Sequence, residues 1–114
     1  MSTVSRHIIA DITSEDPKVF DDQSQILEAL TLAAKAANAT ILRTASHKFE
    51  PQGVTAFLLL SESHISIHTW PECNAAAVDI FTCGGYTDPE AALDVILLKL
   101  RAVCKTRQII QRQI

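Results

Sequence analysis

The chain has 114 residues, 47% of them apolar and 20% charged, with a formal net charge of −3. That length suits one domain, residues 1–114, and that composition suits a globular chain rather than a disordered one. With no lysine run, no basic patch and no apolar stretch near membrane-spanning length, neither nucleic acid nor membrane is an expected partner.

The opening Met1-Ser2-Thr3-Val4-Ser5-Arg6 is polar, unlike a secretory leader. Cys73, Cys83 and Cys104 form an odd, scattered set without zinc-type spacing. Reduced thiols in a cytoplasmic protein are the simplest expectation.

In chain order, Val4 to Ile12 is rich in β-branched residues and predicts a first strand, followed by a turn over Thr13 to Pro17. From Asp22 to Asn38, Ile26, Leu27, Leu30, Ala33, Ala34 and Ala37 recur at a helical period, with Asp21 or Asp22 as cap. Thr40 to Ala45, continuing through Phe49, predicts a second strand, and Glu50-Pro51-Gln52-Gly53 a tight turn. Val54 to Leu60 reads as a central strand, apolar on both faces. After a turn at Ser61 to Ser63, the alternation of His64, Ser66, His68 and Trp70 with Ile65, Ile67 and Thr69 predicts a strand with two unlike faces.

Ala75 to Thr82 predicts the next strand. Asp88 and Pro89 open a second helix, whose apolar stripe is Leu93, Ile96, Leu97, Leu100 and Val103, placing Cys104 late in that helix. Gln108 to Gln111 predicts a short last strand. The order β-α-β-β-β-β-α-β predicts an α+β fold: a two-layer sandwich with a largely antiparallel sheet and two helices on one face.

The stretch from Ser61 to Glu72 holds three serines, two histidines, two carboxylates and the only tryptophan. Solvated or internally satisfied side chains on a polar strand are the plainest account. A hydrolase with Ser63 or Cys83 as nucleophile and His68 as base is a second, but Gly-x-Ser-x-Gly is absent and no residue to orient the base is evident. A metal held by His64, His68 and Glu72 is a variant. Two residues four apart on a strand lie about 13 Å from one another, too far to share an ion easily, so no metal is expected.

A third account comes from resemblance. Glu62-Ser63-His64-Ile65-Ser66-Ile67-His68-Thr69-Trp70-Pro71-Glu72 resembles the self-processing site of the prokaryotic S-adenosylmethionine decarboxylase proenzymes. Asp79-Ile80-Phe81-Thr82-Cys83-Gly84 resembles that family's second motif, as do His47-Lys48-Phe49-x-Pro51-x-Gly53-Val54 and, more weakly, Arg6-His7 upstream. The motifs run in family order along most of the chain.

The resemblance implies a lyase that cuts itself between Glu62 and Ser63, giving fragments 1–62 and 63–114. Ser63 would become a covalently bound pyruvoyl group that forms a Schiff base with the substrate. His68 would be the processing base and Cys83 the proton donor. Thr55, standing where the family often has a serine, would support processing. Phe49, Ile65 and Glu72 would bind substrate, Phe49 against the adenine and Glu72 at the ribose hydroxyls. His7 and Trp70 would be structural or supporting. The implied function is decarboxylation of S-adenosylmethionine to the aminopropyl donor of spermidine synthesis, in a homodimer whose sites draw on both subunits. Arginine or ornithine decarboxylation on the same scaffold is the alternative.

Overall fold

The structure, a computed structural model, describes residues 4–113. The expected polar opening at Met1 to Thr3 lies outside the described residues. Six strands, β1 (Val4–Ser14), β2 (Ile41–Lys48), β3 (Val54–Leu60), β4 (Ser63–Trp70), β5 (Ala75–Cys83) and β6 (Ala102–Gln113), form one sheet in the order β2-β3-β4-β5-β1-β6. Every neighbouring pair is antiparallel. Two helices, α1 (Gln23–Ala36) and α2 (Pro89–Lys99), give the expected element order and a two-layer α+β sandwich.

Local chemistry sets the helix starts. Asp22 caps α1 by accepting from the Gln25 amide, and Asp88 caps α2 by accepting from the Ala91 amide, with Pro89 in the first turn. Asp21 instead accepts from the Gly53 amide at 2.8 Å and pairs with Lys48, tying the β2–β3 turn to the 3-10 segment Pro17–Asp21.

Alternation then divides the sheet into two unlike faces. Ile8, Ala10 and Ile12 of β1, Ala56, Leu58 and Leu60 of β3, Ile65 and Ile67 of β4, and Val78 and Ile80 of β5 are buried with the apolar residues of the helices. Ala29, Ala33 and Ala34 of α1 and Ala92 of α2 are buried in the same core. Each large side chain buried there contributes about 1.5–3 kcal/mol, so this layer dominates the stability.

Among the described residues nothing covers the opposite face. Register places Thr55, Phe57 and Leu59 of β3 beside His68, Ser66 and His64 of β4, and these beside Ala77, Asp79 and Phe81 of β5. His7 and Ile9 of β1 and Ile110 and Gln108 of β6 complete the rows.

Three expectations change. The second face of β3 is half-open rather than buried, because among the described residues no second layer lies over Phe57 and Leu59. The apolar stripe of α2 stops at Leu100, where Arg101 turns with φ +51. Val103 and Cys104 therefore belong to β6, whose twelve residues pair along β1 instead of forming the short strand expected at Gln108–Gln111.

Candidate active site

The turn from β3 into β4 delivers Glu62 and Ser63 to the end of β5. The Cys83 amide donates to the Glu62 carbonyl oxygen at 3.0 Å, and the Cys83 thiol donates to the same oxygen at 3.0 Å. Ser63 Oγ lies 3.7 Å from Cys83 Sγ. Ser63 has φ +140, a left-handed conformation that L side chains rarely adopt and that costs on the order of 1–3 kcal/mol. A strained serine thus follows a carbonyl whose oxygen already has two donors, the arrangement an oxyanion needs. Cys83 shares by alternation the uncovered face with Asp79 and Phe81.

The side chain of Glu62 is held as firmly. Its Oε1 accepts from the Thr40 amide at 2.9 Å and its Oε2 from the Tyr86 phenol at 2.6 Å. Burial raises the carboxyl pKa, but the hydrogen bonds from Thr40, Tyr86 and Ser61 outweigh it and hold the group below the usual carboxylate range. The same bond to Glu62, then burial, pushes the Tyr86 phenol up.

At the other end of β3 and β4, a second group of predicted residues meets around a cavity of about 300 Å³. Phe49, Thr55, His68 and Glu72 line it, with Trp70, Gln52, Gly53 and Thr69. Thr55 Oγ1 is 3.0 Å from His68 Nδ1, and His47 packs edge-on against Phe49 with ring centroids 4.5 Å apart. Trp70, expected to be structural or supporting, is 46% exposed on this wall. A larger hollow of about 630 Å³, lined by Lys18, Asp21, Lys48 and Gln52 among others, gathers none of the predicted site residues.

The structure does not bring the two groups together within one chain. Ser63 and His68 stand five positions apart on one strand, about 16 Å at 3.3 Å per residue. In its own chain His68 is out of reach of both Ser63 and Cys83, which removes the hydrolase geometry. Ile65 also lies away from the cavity: its side chain is 0% exposed on the helix-facing side, leaving only its backbone free to contribute.

Between the groups lies a cluster that sequence reasoning missed. His7 Nε2 and His64 Nε2 both meet Asp79 Oδ1, at 2.7 and 3.0 Å, and Arg112 Nη1 lies 3.3 Å from His7 Nδ1. A guanidinium only donates, so His7 Nδ1 accepts and Nε2–H faces the carboxylate. Among the described residues no group of three or more His, Cys, Asp or Glu side chains could hold a metal ion.

The family model described as S-adenosylmethionine decarboxylase matches residues 6–113. An S-adenosylmethionine decarboxylase proenzyme of Parasynechococcus marenigrum is 52% identical over 87% of this chain and 77% of its own. A proenzyme of the same name from Caldanaerobacter subterraneus is 40% identical over 98% of this chain and 90% of its own. The crystal structure of the adenosylmethionine decarboxylase from Aquifex aeolicus superposes with a TM-score of 0.80 at 39% identity, covering 96% of this chain and 89% of that one.

Proposed function

The chain belongs to the S-adenosylmethionine decarboxylase family, and on that premise we propose that it is a self-cleaving, pyruvoyl-dependent decarboxylase of S-adenosylmethionine. The observation that carries the reading is the Glu62 carbonyl, held by two Cys83 donors next to a serine at φ +140. Serine Oγ attack on that carbonyl carbon moves negative charge onto an oxygen already supplied with two donors. Collapse expels the Ser63 nitrogen and leaves an ester between the Glu62 carbonyl and Ser63 Oγ.

A base then removes the Ser63 α-proton, and the Glu62 main-chain carboxylate, the acyl half of the ester, departs from Cβ. Hydrolysis of the resulting dehydroalanine releases ammonia and leaves the pyruvoyl group on fragment 63–114. Two features of the site fit that group: the strained Ser63 from which it forms and a thiol 3.7 Å from its Oγ. The pyruvoyl carbonyl supplies an electron sink for the pair released when carbon dioxide leaves a joined α-amino acid. Cys83 Sγ holds a proton at that end of the site, positioned for delivery to the substrate's Cα.

The base and the substrate pocket come in this reading from a second copy. His68, about 16 Å away along β4, reaches Ser63 only if two sheets stack with their uncovered faces together and their strands reversed. Phe57, Leu59, Ile9, Ile110 and Trp70 leave that face partly apolar and exposed, which favours such burial. Phe49 then lies against the adenine and Glu72 at the ribose hydroxyls, with its carboxylate also favouring a sulfonium cation. The decarboxylated product carries the aminopropyl group used in polyamine synthesis, a cytoplasmic role.

Intact-mass analysis of fresh protein tests the reading. Fragments 1–62 and 63–114 are expected, the second without a free amine. Carbon dioxide release is then compared for S-adenosylmethionine, arginine and ornithine, with release expected from the first. A single uncleaved chain with full activity sinks the pyruvoyl reading. Release from arginine or ornithine alone sinks the substrate.

A further inference from the structure

The grip on the Glu62 carboxylate plays no part in the chemistry above, yet it is built with care. Glu62 is only 6% exposed, and a buried carboxylate is costly unless its oxygens are partnered. Each oxygen has its own donor, the Thr40 amide for one and the Tyr86 phenol for the other. Tyr86 follows Cys83 by three residues, so one short segment holds both the carbonyl and the side chain of the residue to be cut.

That segment is itself fixed. Asn38 Nδ2 donates to the Tyr86 carbonyl at 3.2 Å, Thr87 Oγ1 donates to the Gly84 carbonyl at 3.0 Å, and Arg6 Nη2 donates to the Thr87 carbonyl at 3.0 Å. Gly84, at φ +96, leaves room for the ring: a Cβ there would meet Tyr86 Cε1 at 2.9 Å.

We propose that Tyr86 is a positioning residue for self-cleavage, clamping the Glu62 carboxylate together with the Thr40 amide so that the Glu62–Ser63 peptide stays seated on the Cys83 donors. The proposal rests on the self-cleavage reading. Seating errors of about 1 Å can cost about a hundredfold in rate, which gives such a clamp leverage although it touches no reacting atom.

The test is a time course of cleavage by intact mass on freshly purified full-length chain. Tyr86→Phe removes only the phenol and is expected to slow cleavage about tenfold, the worth of one charge-assisted hydrogen bond. Glu62→Gln keeps an acceptor for Thr40 but puts an amide nitrogen opposite Tyr86, and is expected to slow cleavage similarly. The double variant is expected to be no slower than either single one, because both remove the same contact.

A merely structural Tyr86 would instead give additive losses in the double variant. Wild-type cleavage with an unchanged Tyr86→Phe rate overturns the clamp alone, as does additivity. If Tyr86→Phe does not fold, an unchanged rate in Glu62→Gln overturns it equally. Absence of cleavage in the wild type overturns the underlying reading, and the clamp with it.

Discussion

The two ends of β3 and β4 differ in what they lack. At the Ser63 end the reacting bond is in place, its carbonyl oxygen has two donors, its serine is strained and a thiol is within 4 Å. Among the described residues no imidazole is hydrogen-bonded to Ser63 or Cys83. At the His68 end an imidazole, a hydroxyl, an aromatic ring and a carboxylate surround a cavity of about 300 Å³, but that cavity holds no bond to break. Each end supplies what the other needs, on one uncovered face. A single chain therefore presents two half-sites, and the proposed dimer turns them into two whole ones.

The largest expected effect comes from removing the nucleophile. Ser63→Ala should abolish cleavage and decarboxylation together, read by intact mass and carbon dioxide release. His68→Ala should also fail to cleave. The pair then breaks or sharpens the half-site comparison directly. Ser63→Ala and His68→Ala chains, co-expressed and randomly paired, should recover about a quarter of the wild-type sites, because half of the dimers are mixed and each holds one intact pairing. Zero recovery would show that each chain completes its own site.

Cys83→Ala probes the Ser63 end next. Decarboxylation should fall by about 10²- to 10⁴-fold, the usual worth of a general acid. Cleavage should fall less, about tenfold, since the Cys83 amide still holds the Glu62 carbonyl. At the other end, Phe49→Ala and Glu72→Gln should raise KM for S-adenosylmethionine by about tenfold each, with cleavage little changed, since neither touches the scissile bond. Equal effects of these three changes on cleavage would erase the distinction between a cutting end and a binding end.

How much of this was legible in the sequence depends on how far apart the cooperating residues lie. Strand alternation placed His64, Ser66, His68 and Trp70 on one face and Ile65, Ile67 and Thr69 on the other, because a period of two is a local property. Asp22, Asp88 and Pro89 announced their helices for the same reason. The end of α2 was hidden because a non-glycine residue, Arg101, takes the left-handed turn there, while Leu100 and Val103 continue an apolar period.

The His7–Asp79–His64 cluster and the Tyr86–Glu62 contact join residues 15 to 72 positions apart, which only sheet register and a loop path bring together. Ser63 and His68 were deceptive in the opposite sense. Five positions look close in sequence, but on a strand they span the sheet. The arithmetic that set His64 and His68 too far apart to chelate an ion also parts Ser63 from its base.

The smallest expected effect is a dependence of stability on pH at the Ser63 end. It can be read in an uncleavable Ser63→Ala background, with and without Tyr86→Phe, by thermal unfolding from about pH 3 to about pH 11. The ionisable groups that act on the phenol are Glu62 and Cys83. Glu62 has a lowered pKa, so its contribution is complete above the ordinary carboxylate range and is lost as pH falls through the depressed value. Tyr86 has a raised pKa, so its contribution is complete below the ordinary tyrosine range and is lost as pH rises through the elevated value. The gap in melting temperature between the two proteins should therefore be flat through neutrality and close at both extremes. A gap that persists in acid would mean that the phenol is held by something other than the Glu62 carboxylate. The Ser63 end would then owe its seating to the backbone alone.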